Sequence, residues 1–252
     1  MKKSQGTAAA LSGAIYAICM GAAAFAQNCP VNHDQLQQAL KKSVQAGNGG
    51  FGNQEWAAVV GRDGAVCAVT FSGTGPEDQW LGSRAIAAEK AYTVNAFSSN
   101  NYAVSSANLY AGSQPGGYLY GTAAANPPDP SLLLAGKMQQ FGTASDPWLG
   151  KPLGGIIVFG GGLPLYQDGH LAGGLGVSGD TSCADHNVAW RVREALKMDK
   201  VPDGPSPSHN DQIIYDIGPD GKSASGFGHP KCHMRGAEVA QSIGAGINVA
   251  SR

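Results

Sequence analysis

GGIIVFGGGLPLYQDGHLAGGLGVSGDTSCADHNVAWRVREAL, residues 154–196, carries strand, turn and helix signals in unbroken succession, and the rest of the chain is read outward from it. Ile156 to Phe159 is a short apolar run that Gly160 to Gly162 interrupts. Leu163 to Gln167 then leads into Asp168-Gly169, a dipeptide that tolerates the positive φ angles of a tight hairpin turn, so two antiparallel strands are expected here. Side chains alternate along a strand. On the returning strand Leu171, Gly173, Leu175 and Val177 therefore face one way, and His170, Ala172, Gly174, Gly176 and Ser178 face the other. The second face is nearly bare. Glycine inside a strand costs stability and usually marks a close approach by something else. A packed helix, a planar ligand or a second subunit would each fit there. Asp180, Thr181, Ser182 and Asp185 offer helix-start signals, after which Val188, Ala189, Val192, Ala195 and Leu196 recur at helical spacing.

The order of these features, from the Gly-Gly opening through Leu-Pro-Leu and Asp-Gly to a glycine-rich strand ending Gly176-Val177-Ser178-Gly179, resembles the GlcG/HbpS family. That family includes the C-terminal domain of PduO-type proteins. Ala88-Glu89-Lys90-Ala91-Tyr92-Thr93 also resembles the family's Lys-Ala-x-Thr helix. The resemblance covers roughly residues 30–196. It implies an α/β (α+β) fold: a single profilin-like domain with an antiparallel sheet flanked by helices. It further implies assembly into homo-oligomers and, as in several members, haem binding.

Lys2 and Lys3, the weakly polar to apolar stretch Ala8–Ala24, and Ala24-Phe25-Ala26 before Gln27 read as a secretory signal peptide, residues 1–26, cleaved after Ala26. Cys19 follows Ile18 rather than the small residue of a lipoprotein signal, so no lipid anchor is expected. Nor does any later segment approach the ~20 apolar residues of a membrane span. The expected location is periplasmic or secreted. Processing leaves Cys29, Cys67, Cys183 and Cys232, an even number in an oxidising compartment, so two disulfides are expected. Four cysteines allow three connectivities and the sequence does not choose among them. Against the family domain, the pairing expected is Cys183 with Cys232, which ties the C-terminal tail to the domain's last helix. A formal charge of −1 gives no reason to invoke nucleic acid or an anionic surface. With 37 glycines and only 14% charged residues, the chain is suited to tight turns and close backbone contacts.

Ahead of the central stretch, Asn32 with Gln35 forms a capping box for a helix bearing Leu36, Ala39, Leu40 and Val44 on one face. Trp56–Val60 and Ala65–Phe71 flank Gly61-Arg62-Asp63-Gly64 as a hairpin, and Ala87, Ala91, Val94 and Phe97 mark a second helix. Residues 98–151 are punctuated by Pro and Gly and read as loops with short helices, suited to a pocket rim or a subunit contact. The domain is thus expected over residues 27–198, with a C-terminal extension, 199–252, docked on it. That extension has too few large apolar side chains to fold alone. Ile213–Ile217 reads as a strand and Gly236–Ile247 as a helix.

The candidate ligand-binding residues are Lys90, Asp185, His186, Gly174 and Gly176. His186, His229 and His233 are the candidate metal ligands, because imidazole suits iron and other transition metals. At the start of a helix the dipole favours the neutral imidazole that ligates metal. Lys90 is placed to meet a ligand carboxylate such as a haem propionate, or else to be an ordinary solvated helix position. His229, Cys232 and His233 read equally as a disulfide cysteine flanked by surface histidines. No Cys-x-x-Cys-His occurs for covalent haem attachment, and there is no nucleophile elbow or phosphate loop. The sequence therefore points to a secreted protein binding haem or a related small planar ligand. The alternatives are an enzyme using Asp185 and His186 as acid–base groups on a small organic molecule, and a ligand-free structural oligomer.

Overall fold

A computed structural model describes residues 29–248. The expected signal peptide lies outside the described residues. Four strands form an antiparallel sheet: β1 (Trp56–Gly61), β2 (Val66–Phe71), β3 (Gly162–Gln167) and β4 (His170–Ser178), in the order β2-β1-β4-β3. Strand alternation distributes the side chains to two cores. Ala57 and Val59 join Leu163, Leu165, Leu175 and Val177 on one face, beneath α1 (His33–Val44) and α3 (Ser182–Ala195). Trp56, Ala58 and Val60 face the other way, against Ala87, Ala88 and Ala91 of α2 (Ser83–Phe97). The sheet is thus covered on both sides. The fold is the mixed helix and antiparallel sheet arrangement expected from the sequence.

Local signals act as anticipated in most places. Asn32 accepts from the Gln35 backbone N–H while the Gln35 side chain accepts from the Asn32 N–H, which starts α1. Thr181 caps α3 by accepting from the Ala184 N–H. The apolar run Ile156–Phe159 is not a strand. Its backbone is satisfied by side chains instead, because Thr93 Oγ1 accepts from the Ile157 N–H and Ser106 Oγ donates to the Phe159 carbonyl. Residues 98–151 form loops with short helical turns, among them Tyr110–Ser113, Thr122–Ala125 and Pro130–Leu133.

The tail packs on the domain. β5 (Ile213–Tyr215) pairs in parallel with β6 (Gly246–Asn248), and α4 (Gly236–Ser242) lies between them in sequence. The strand β6 overlaps the end of the segment read as helix, Gly236–Ile247. Disulfides join Cys29 to Cys67 and Cys183 to Cys232, the second being the pairing expected above. No helix of the described residues is long and apolar enough to cross a membrane.

Candidate functional site

The centre of the molecule is the junction where β4 ends and α3 begins. Asp180, just past the strand, accepts backbone N–H bonds from Phe51, Gly52 and Asn53, which folds that glycine-rich loop onto the junction. Asp185 lies one turn into α3 and accepts from the Gly179 and Asp180 N–H groups at 3.1 and 2.8 Å. Its other oxygen meets Lys90 Nζ of α2 at 2.7 Å, and Lys90 also donates to the Val177 carbonyl at 2.9 Å. The ammonium sits 4.9 Å from the centre of the Phe159 ring. Lys90 is wholly buried. Burial raises the Asp185 carboxyl to about 6, opposed by Lys90, so it stays ionised at neutral pH. Glu55, packed nearby, is pushed well above the ordinary carboxylate range by burial and then by the charges of Asp185 and Asp180.

These contacts correct two expectations. Lys90 is not free for a ligand carboxylate, since its charge is spent on Asp185 and Val177 within the core. Asp185 and His186 do not form an acid–base pair either. Consecutive helical residues point in different directions, so Asp185 turns toward Lys90 while His186 turns toward the tail. Gly174 and Gly176 are also corrected. A Cβ on Gly176 would lie 1.9 Å from the Ala87 carbonyl oxygen, and one on Gly174 would lie 2.1 Å from that of Ala91. The bare strand face is covered by α2, which leaves no room there for a ligand.

His186 is fully buried and neither ring nitrogen makes a hydrogen bond of good geometry, the Ala245 backbone being the polar group beside it. Burial first, then the neighbouring His229 and Arg193, lower it to about 3, opposed by a hydrogen bond to the Ala245 backbone. It is a neutral imidazole at any ordinary pH. His229 reaches the same place from the tail. Its Nε2 accepts from the Gly160 N–H at 3.3 Å, while Nδ1 lies 2.8 Å from the Pro230 carbonyl, an arrangement that places the proton on Nδ1. Burial lowers His229 to about 4. Its ring stands 5.3 Å from that of Tyr110 and 6.5 Å from that of Tyr215, whose buried hydroxyl lacks a partner. Gly160 packs against the start of α3, since a Cβ placed there would be 2.3 Å from the Ser182 carbonyl oxygen and 3.2 Å from the His186 Cβ. His233 is exposed and stands apart from this group, which removes it from the candidate metal ligands. His170 is exposed beside the Asp168-Gly169 turn.

Sequence reasoning did not anticipate the acidic partners that lock the additions to the helices. Arg84 of α2 pairs with Asp146 at 2.6 and 3.2 Å, its guanidinium lying over both Trp148 and Phe141. Arg193 of α3 forms a two-pronged pair with Asp211 of the tail at 2.6 and 2.8 Å. Both pairs are buried.

The profile of the family described as haem degrading protein HbpS-like matches residues 31–194. No curated protein matches the sequence. Among solved structures, the chain is similar to the Klebsiella pneumoniae protein ORFY at 21% identity, over 65% of this chain and 86% of that one, with a TM-score of 0.43. It is similar to PduOC, solved as a haem complex, at 23% identity over 64% of this chain and 89% of that one, with a TM-score of 0.43. For HbpS the identity is 17%, over 65% of this chain and 86% of that one, with a TM-score of 0.40.

Proposed function

On the premise that this chain belongs to the HbpS-like family of haem-degrading proteins, as its match over residues 31–194 establishes, we propose that it is a secreted or periplasmic protein that binds haem or a related small planar ligand through His186. The observation that carries this reading is the bare imidazole. A buried polar atom without a partner costs about 1–3 kcal/mol, and His186 has two such nitrogens. A histidine used only for packing has no reason to carry that cost, whereas a ligand to iron needs a neutral, unpaired nitrogen.

The donor fits; the space above it is closed. The described clefts lie elsewhere, one of about 560 Å³ beside Tyr166 and Lys197 and one of about 350 Å³ beside His33 and Leu149. We infer that the cover of His186 is the tail segment around His229, held by His229 N–H to the Ile214 carbonyl at 2.8 Å, Ala111 N–H to the Gly228 carbonyl at 3.2 Å, and Gly160 N–H to His229 Nε2 at 3.3 Å. At about 1 kcal/mol net for each bond, lifting this flap costs a few kcal/mol, which ligand binding can offset. His229 would then be the cover of the site and His186 its iron ligand.

Haemin titration of the purified protein tests this. A saturable Soret shift at one haem per chain is expected, with affinity falling at least tenfold in His186→Ala and unchanged in His170→Ala. Absence of saturation refutes haem binding. Loss in His33→Ala with retention in His186→Ala refutes the assignment.

The second reading concerns assembly. Trp80, Tyr118, Tyr120 and Leu134 are 57%, 68%, 67% and 89% exposed, an unusual display of large apolar side chains for a lone chain. We infer a homo-oligomer with residues 98–151 as a contact. Light scattering at micromolar concentration should give a mass of two chains or more; a monomer mass refutes it.

A further inference from the structure

The disulfide beside His186 sits in a pattern of which the haem reading uses only the two histidines. Cys183-Ala184-Asp185-His186 is a Cys-x-x-His step on the first turn of α3, and residues three apart on a helix share a face. His229-Pro230-Lys231-Cys232 is the reverse step, His-x-x-Cys, in the tail. The fold lays one against the other. Donor atoms of Cys183, His229 and Cys232 all lie within 4.8 Å of one another. His186 follows Cys183 by one turn on the same helix, just outside that group of three donors. It is fully buried, and neither ring nitrogen makes a hydrogen bond of good geometry.

We propose that Cys183, His186, His229 and Cys232 form a latent transition-metal centre, closed by the disulfide when oxidised and able to hold zinc when reduced. Two thiolates and two imidazoles are the donor set that zinc takes in closed tetrahedral sites. With sulfur at ~2.3 Å and nitrogen at ~2.0 Å, a tetrahedral zinc holds its donors roughly 3.3–3.8 Å apart. On reduction the two sulfurs, bonded to each other in the disulfide, must separate to that spacing, and His186 must move in to join the three clustered donors. His229 already carries its proton on Nδ1 by the Pro230 contact, which leaves Nε2 as a donor once the Gly160 N–H is released.

The chemistry balances with a dithiol as reductant. Its two S–H protons and two electrons pass to the sulfurs of Cys183 and Cys232, and it closes to its own disulfide. Zinc then displaces the two cysteine protons to solvent and binds the thiolates, with both histidines entering as neutral ligands. The metal replaces the covalent link at the same point. The tail therefore stays fastened to α3 in either redox state, and zinc excludes any other metal from His186.

Cobalt(II) reports such a site directly. The full chain carrying Cys19→Ser, reduced with a phosphine, should bind one cobalt per chain, with a sulfur-to-cobalt charge-transfer band and tetrahedral d–d bands that zinc abolishes. The oxidised protein should give neither band. Cys183→Ser/Cys232→Ser should remove both, His186→Ala and His229→Ala should each weaken binding at least tenfold, and Cys29→Ser/Cys67→Ser should leave it unchanged. Circular dichroism should show the reduced, metal-loaded chain folded. The proposal is overturned if the reduced chain binds no cobalt, if the bands survive in the Cys183→Ser/Cys232→Ser variant, or if the metal fails to keep the reduced chain folded. None of these readouts uses haem, so failure of haem binding leaves the centre standing.

Discussion

Substitution of Gly176 by alanine is the most direct probe of what covers the sheet. The added Cβ would stand 1.9 Å from the Ala87 carbonyl oxygen and 2.6 Å from the Ala91 backbone nitrogen. Carbon and oxygen tolerate no closer approach than about 3.3 Å, so α2 must withdraw from β4 by more than 1 Å. Backbone atoms on both sides prevent relief by a rotamer change. A withdrawal of that size opens the seam along Ala87, Ala88 and Ala91, where a gap of 0.5–1 Å already forfeits roughly a quarter to a half of each contact. Overpacking of this kind costs about 1–3 kcal/mol and occasionally more, and a clash with backbone belongs at the upper end. Expected is a loss of about 3 kcal/mol in urea unfolding, or roughly 6–12 °C in Tm at the 2–4 °C per kcal/mol of a chain this size. Gly82→Ala is the control, because a Cβ there meets nothing within 4 Å and its φ is an ordinary −62°. Equal stability of the two variants would show that α2 does not rest on this strand, and would reopen the glycine face to a ligand or a second subunit.

The other consequences for stability concern buried charge. Asp211→Ala leaves Arg193 charged and uncompensated in the core, with an expected loss of about 3–5 kcal/mol in urea unfolding. The double variant Arg193→Met/Asp211→Leu should lose clearly less, and an equal loss in both would contradict the pair's assigned role. Glu89, 9% exposed, is raised from 4.5 to about 7 by burial. Its folded form binds the proton more tightly than its unfolded form, so stability is full below pH 4.5, falls as pH rises from 4.5 to 7, and then levels off. Glu89→Gln should therefore gain about 2 kcal/mol on wild type across that window, less than the full shift at about 1.4 kcal/mol per unit because some solvent reaches the group. A difference independent of pH would refute a neutral Glu89.

The scaffold was legible where a local signal and its tertiary outcome coincide. Asn32 and Gln35 announce α1 because both partners lie within one turn, and Asp168-Gly169 announces the β3/β4 hairpin because its turn needs nothing distant. The apolar run Ile156–Phe159 is fastened by side-chain hydrogen bonds to Thr93 and Ser106 rather than by a ladder, a distinction that apolar content does not carry. β6 was hidden because its partner β5 lies over thirty residues upstream in the chain, and three residues carry no period of their own. For the site, the glycine alternation revealed a close approach without naming the occupant. His186 could be singled out by its place at a helix start, but its isolation from Asp185 depends on the helical rotation between neighbours. Asp146 and Asp211 looked like loop acids until the fold carried them onto Arg84 and Arg193.

Those two aspartates also decide where the structure can open. An ion pair out of water gains little net stability, because desolvation offsets attraction, but losing one partner is costly. Arg84 and Arg193 therefore bind the insertion and the tail to α2 and α3 as conditions of folding rather than as surface decoration. Cys183–Cys232 adds a third fastening, and closing the 49-residue separation stabilises the fold by about 4 kcal/mol through the unfolded chain. Detaching the whole tail would expose Arg193, break the β5/β6 pair and strip the cover from Cys183 at once. Between Asp216 and Cys232, by contrast, the chain is held mostly by polar loop contacts, such as Ser223 and Ser225 to Asp216, and by the few bonds around His229. Opening is thus cheapest between these points, with Cys232 as the fixed end. Entry to His186 would follow a local flap movement, so a ligand that reaches it must do so with the Arg193–Asp211 pair intact.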